Sequence, residues 1–199
     1  MTAAGTPLMI ALIAASLASG AGAQTQTDSE TFLEAIEEQR NNEVVDLVAR
    51  KGRAIVNIRG YSGATPLTLA MRKRATTYVN FLLQNGADPN LADKSGDTAL
   101  MIAARLGYVE GIGSMIAGKA AIDATNRQGE TALIIAVQHR HAQAVKRLLE
   151  AGASPTRTDS ASGLSARDYA VRDRRSSEIL KLIDSVKPKP VFVAGPVIR

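Results

Sequence analysis

The 199-residue chain contains no cysteine and no tryptophan. Lack of cysteine excludes a disulfide framework, a thiolate metal site, a cysteine nucleophile and a lipidated cysteine at a processing site, and an oxidising compartment would do the protein no harm. Aromatic residues make up only 4% of the chain, so the core has to come from Ala, Leu, Ile and Val packed between close helices. The only histidines are His139 and His141. Their spacing is not that of a helical metal pair, no carboxylate cluster with ligand spacing lies beside them, and both are read as surface residues. No nucleophile elbow or other catalytic signature is visible. The chain is therefore read as a non-enzyme without cofactor or metal.

Charge is also missing from Met1 to Ala23, where Leu8 to Leu17 is apolar but for small residues and Ser16. This stretch reads as an export signal (residues 1–23), and Ala21-Gly22-Ala23 before Gln24 has the small-x-small form of a cleavage site. Cleavage between Ala23 and Gln24 would leave a mature chain with no transmembrane segment, in the periplasm or secreted. The rival is a membrane anchor, for which about 20 apolar residues are needed, whereas Ser16, Ser19, Gly20 and Gly22 interrupt this run. The n-region departs from the usual pattern in lacking Lys and Arg.

What the chain does have is a period. Thr65, Thr98 and Thr131 are 33 residues apart, as are Leu67, Leu100 and Leu133; Ala70, Ala103 and Ala136; Val79, Ile112 and Val145; Leu82, Met115 and Leu148; and Leu83, Ile116 and Leu149. A fixed period of this length means units that cannot bury their apolar side alone and must stack. A Thr before an apolar run is a helix N-cap, Pro is tolerated in the first turn, and Gly after the second helix is a stop. Gly63-Ala64-Thr65-Pro66-Leu67 and Asn85-Gly86-Ala87-Asp88-Pro89-Asn90, with Gly96-Asp97-Thr98-Ala99-Leu100, Gly129-Glu130-Thr131-Ala132-Leu133 and Ala151-Gly152-Ala153, resemble the ankyrin repeat. The resemblance implies an all-α solenoid of stacked helix-turn-helix units with hairpin-like loops. About five units are expected over 30–185: a cap at 30–59, repeats at 60–92, 93–125 and 126–158, and a cap at 159–185. A polar lead (24–29) would precede them, and a flexible Pro-containing tail (186–199) would follow. The first cap is read as two short amphipathic helices around Asn41-Asn42, with Glu34, Glu37 and Glu38 on an exposed end. In the last cap Arg167 takes the usual Leu position.

Net charge is +5, unevenly placed: residues 24–58 hold seven acidic against four basic side chains, leaving +8 elsewhere. The resemblance implies a concave face formed by the hairpin tips and the ends of the first helices, where partners usually bind. Arg72, Lys73, Arg74, Arg105, His139, Arg140, Arg172, Arg174 and Arg175 fall at those helix ends, with Gln138 beside them, and Arg59, Lys94 and Arg127 at or near the tips. Arg suits bidentate contact with carboxylates, so the expected partner is a protein or peptide with an acidic surface, bound by a monomer. Two bland readings stand beside this one: the cations complement helix dipoles, worth about 0.3–1 kcal/mol each, or they keep the surface soluble. A role at the envelope, binding anionic lipid or polysaccharide, is the alternative; nucleic acid is not expected, since no basic motif interleaved with aromatics occurs. Arg72, Arg105 and Arg140 are expected to be exposed, so that reversing their charge would weaken binding without unfolding.

Thr68, Met101 and Ile134 stand where ankyrin repeats usually carry His, which removes that residue's inter-repeat polar contacts. Gly111 and Gly113 lie inside a second helix, where each either weakens it or permits close packing. Gly118-Lys119 replaces the usual order at that helix's end. Because Lys resists the left-handed conformation, the helix is expected to stop one residue early with Gly118 left-handed, making this the softest internal unit. Export itself is checked by N-terminal sequencing of periplasmic material: Gln24 is the expected first residue, and a retained Met1 would refute it.

Overall fold

The computed structural model describes residues 21–185, with side chains from Asp28 onward. The expected signal as far as Gly20 and the expected tail 186–199 lie outside the described residues. Eleven α-helices occur among those described: α1 (Ala21–Glu37), α2 (Asn41–Lys51), α3 (Arg53–Val56), α4 (Pro66–Arg72), α5 (Thr76–Gln84), α6 (Ala99–Leu106), α7 (Val109–Ala117), α8 (Ala132–Gln138), α9 (Ala142–Glu150), α10 (Ala166–Arg172) and α11 (Ser177–Ser185). They include no strand, only isolated bridges joining Ala92 to Thr98 and Thr158 to Ser165.

The first helix of each unit starts where a hydroxyl precedes the apolar run. Thr65, Thr98, Thr131 and Ser165 accept from the backbone N–H groups of Thr68, Met101, Ile134 and Asp168. All four caps are buried, so losing one leaves a helix donor unpaired, at about 1 kcal/mol. Thr68 also returns its hydroxyl oxygen to the Thr65 N–H at 2.8 Å. Met101 and Ile134, at the equivalent position, are fully buried: apolar packing fills the place of the missing His.

First helices pack in series, α1 on α4, then α6, α8 and α10, while α5, α7, α9 and α11 form the second row. Every member of the Leu67, Ala70, Val79 and Leu82 rows is at most 2% exposed in the three internal units. In the sixth row Leu149 is buried, and Leu83 and Ile116 are half-buried against the core. A side-chain ladder fixes the stacking register. Asn57 Oδ1 accepts from the Asp88 N–H at 2.7 Å, Asn90 Oδ1 from that of Ala121 at 2.7 Å, and Asp123 Oδ1 from that of Ser154 at 3.0 Å. Each acceptor is 33 residues from the next.

The amino-terminal unit differs from expectation. α1 has 17 residues and runs through 24–29 and the Ala23–Gln24 junction; its polar start contains no helix breaker, and Lys51 Nζ pairs with Asp28 at 2.7 Å. Asn41-Asn42 opens α2 rather than forming the turn, which is made by Glu38 to Arg40 with Gln39 at φ 58°. Glu34, Glu37 and Glu38 are exposed, as expected of an end.

The early stop of α7 is overturned. α7 has nine residues, like α5 and α9; Gly118 is at φ −74° and Lys119 is the left-handed residue, at φ 61°. Lys119 N–H donates to Ile116 O and Ala120 N–H to Met115 O, both at 3.0 Å, matching the closures at Gly86 and Gly152. Moving the cap would pull Ala121 off Asn90, so the register outweighs the roughly 1 kcal/mol that a left-handed Lys costs. The two helix glycines separate. A Cβ on Gly111 would meet Tyr108 Cδ1 at 2.5 Å and Met71 Sδ at 2.6 Å, whereas one on Gly113 would meet nothing within 4 Å. Gly113→Ala and Lys119→Gly should therefore each stabilise the fold by about 1 kcal/mol and Gly111→Ala should destabilise it, as read by urea denaturation.

Candidate functional site

The loops before the first helices are fingers, each tied at its base. Asp93 Oδ1 accepts from the N–H groups of Ser95 (2.9 Å) and Asp97 (3.0 Å), Asn126 Oδ1 from Gln128 (3.0 Å) and Glu130 (2.9 Å), and Asp159 Oδ1 from Ser162 (2.6 Å) and Gly163 (3.0 Å). The first finger has Gly60 at this position, where a Cβ would meet Leu33 Cδ1 of α1 at 2.6 Å. Neighbouring fingers are joined through Arg127 N–H to Ser95 O (3.2 Å) and Ser160 N–H to Gln128 O (2.8 Å). Gly96, left-handed at φ 81°, permits this approach: a Cβ would lie 2.9 Å from Arg127 N. The residue after each anchor forms the tip, giving Tyr61, Lys94, Arg127 and Ser160 in succession. Tyr61, Lys94 and Arg127 are exposed, and Lys94 Nζ donates to the Tyr61 carbonyl.

Below the tips, the ends of the first helices reach back to the fingers. Arg72 Nη2 meets the buried Asp93 carboxylate at 2.7 Å and Arg105 Nη1 that of Asp97 at 2.6 Å. Asn126 adds donors to Asp97 at 3.0 Å and Glu130 at 2.9 Å. Burial pushes the Asp97 carboxyl up, but the Arg105 and Asn126 hydrogen bonds outweigh it and hold the group below the ordinary range. The Asp97 bond in turn raises Arg105. A hydrogen bond to a charged, buried acceptor of this kind is worth about 1.5–3 kcal/mol. Among the described residues no group of three or more His, Asp or Glu could hold a metal ion.

Residues 79–159 and, overlapping them, 100–185 match the family description of ankyrin repeats in three copies, and 47–103 match that of ankyrin repeats in many copies. The chain is an ankyrin-repeat protein. No curated protein matches it.

The ankyrin frame divides the expected site residues into two sets. Arg72, Arg105, Lys94 and Arg127 share the finger face; Lys73, His139 and Arg172 are exposed at the ends of the first helices, and Arg59, also exposed, precedes the first finger. Arg74 and Arg140 instead occupy the turns between the two helices of a unit, left-handed at φ 53° and 57°, and bind the next repeat. Arg74 donates to Leu106 O at 2.5 Å and lies 5.6 Å from the Tyr108 ring centroid, while Arg140 pairs with Asp173 at 2.5 Å. Complementing a helix carbonyl end is here done across the repeat boundary. Arg174 and Arg175 are exposed beside Asp173.

Two expectations need correction. Arg105 is half-buried, and all three of Arg72, Arg105 and Arg140 are ion-paired, so reversing their charge would set carboxylates against Asp93, Asp97 and Asp173 and strain the fold. His141 is half-buried, with Nε2 3.1 Å from Arg105 O, and a Cβ on Gly107 would meet its ring at 2.6 Å; it is an inter-repeat contact. His139 is exposed, and burial, then Arg105 and His141, lower its pKa. The anchors Asp93, Asn126 and Asp159 escaped the sequence reading, although they are 33 apart and precede each turn glycine by a few residues.

Asp173 is lowered to about 2, first by the Arg140 hydrogen bond and then by the Arg175 N–H. A depressed carboxyl favours folding above its unfolded value near 3.9, and that contribution disappears as pH falls toward the folded value. NMR titration of Asp173 should thus give a midpoint near 2, returning toward the ordinary range in Arg140→Gln.

Proposed function

We propose that this ankyrin-repeat protein is a non-catalytic interaction module that binds an acidic protein surface or peptide across its fingers and the ends of its first helices. We further propose that it works after export, in the periplasm or as a secreted monomer. Ankyrin repeats are typically non-catalytic modules that bind proteins. The observation that carries the acidic partner is the state of the cations. Lys73, Lys94 and Arg127 are exposed and form no ion pair with a carboxylate among the described residues, while Asp93 and Asp97 are occupied by Arg72 and Arg105. A partner's carboxylates thus meet cations that are not already taken up by Asp93 or Asp97.

The export reading rests on the uncharged apolar run and the Ala21-Gly22-Ala23 sequence. Among the described residues no helix is long and apolar enough to cross a membrane.

Affinity capture from envelope extract tests the binding reading. One stoichiometric protein is expected, and a Lys73→Gln/Lys94→Gln/Arg127→Gln variant should bind it at least about tenfold more weakly with unchanged thermal unfolding. Raising salt should mimic the variant. Salt-labile lipid or glycan in place of protein would overturn the reading in favour of an envelope role.

A further inference from the structure

The finger row has a pitch that only some ligands can match. Each finger has two arms, closed by Asp93 N–H to Asp97 O (2.9 Å) and Asn126 N–H to Glu130 O (3.1 Å), and its neighbour is attached by Arg127 N–H to Ser95 O (3.2 Å). One finger per repeat makes the spacing of successive tips that of the repeats themselves. The packed helices beneath, at about 8–10 Å, keep the same step. A β-strand puts side chains on one face about 6.6 Å apart, out of step with the tips. A polyproline II helix returns to the same face every third residue, after about 9.3 Å. An α-helix could match at seven-residue steps, about 10.5 Å, but it docks through an apolar stripe in an apolar groove. The finger face offers none: Leu69, Ile102 and Ile135 of the first helices are at most 8% exposed. Among the described residues its one exposed large hydrophobic group is Tyr61, at 68%, one tip before Lys94.

We propose that the finger face takes an acidic peptide in the polyproline II conformation, lying along the stack with the pattern Pro-x-x-Glu-x-x-Glu, its proline on the Tyr61 ring and its carboxylates on Lys94 and Arg127. This rests on the acidic-partner reading above and adds the conformation and spacing. Proline preforms the extended helix and offers an apolar ring to an aromatic face. The Lys94 and Arg127 tips are held by Asp93 and Asn126 at their bases and the Tyr61 tip by backbone closure at Gly60, so few side chains other than those of Lys94 and Arg127 have to be ordered on binding.

Fluorescence anisotropy with the full chain and labelled synthetic peptides tests this. Each peptide carries one Pro and two Glu, at steps of three, of two or of four in one common extended host, and at steps of seven in an Ala-rich helical host. The three-step peptide should bind at least about tenfold tighter than each of the others. Lys94→Gln, Arg127→Gln and Tyr61→Ser should each weaken it, with circular dichroism unchanged. Equal affinity for all spacings, or a preference for the helical seven-step peptide, would overturn the inference and leave the acidic-partner reading standing. Failure of every acidic peptide to bind, or binding indifferent to Lys94→Gln and Arg127→Gln, would overturn both. A sulfated glycan that displaces the three-step peptide at equal charge concentration would also overturn it.

Discussion

Each internal unit of this protein buries its first helix almost entirely, yet has too little surface of its own to do so. From Ala99 to Ala104 every residue of α6 is buried, and the cover comes from α4 on one side and α8 on the other. Coverage by neighbours works only if every unit has the same rise and orientation, so local geometry is subordinate to the common register. The Asn57, Asn90 and Asp123 ladder enforces that register by joining side chains to the next unit's backbone. Lys119 shows its strength: a residue ill suited to the left-handed region adopts it because the alternative would break a contact with the preceding repeat.

The same subordination explains what could be read from sequence. The rows of Thr, Leu and Ala are short-range chemistry repeated in phase, and helix starts, core positions and the charged carboxy-terminal unit followed from them. Local propensity at Gly118-Lys119 points to the wrong cap, because the deciding contact comes from Asn90 in the preceding unit. Gly111 and Gly113 look alike in sequence and differ only in what lies opposite. α1 was read as starting too late because residues 24–29 have no apolar period to mark them as helix. Of the basic residues, sequence identified a common row but not their partners, which come from the next finger for Arg72, the same finger for Arg105 and the next repeat for Arg140.

Electrostatics on the finger face is consequently layered. Arg72 and Arg105 are tied to buried carboxylates and act as walls, while Lys94 and Arg127 stand above on fingers braced by backbone hydrogen bonds. Rigid placement lowers the conformational entropy lost on association, and the buried acids are shielded from an incoming anion by the arginines that neutralise them. The turns that follow the first helices use similar residue types for cohesion, with Arg74 and Arg140 bridging consecutive units. One composition thus serves two tasks, separated by whether a carbonyl or carboxylate of the next repeat lies within reach.

The ion pair of Arg167 with Asp184, at 2.8 Å, makes the outer face of the last described helix pair costly to cover. Arg167 stands where Leu67, Leu100 and Leu133 are buried by the following unit, so a further repeat, or the end of another molecule, could settle there only by stripping water from both charges, a penalty that ion pairing in a dry interior often fails to recover. An architecture that grows by adding like units is open-ended in principle and prone to fibre formation when its end is apolar. Here the Arg167–Asp184 pair makes the outer face of the last described helix pair charged rather than apolar.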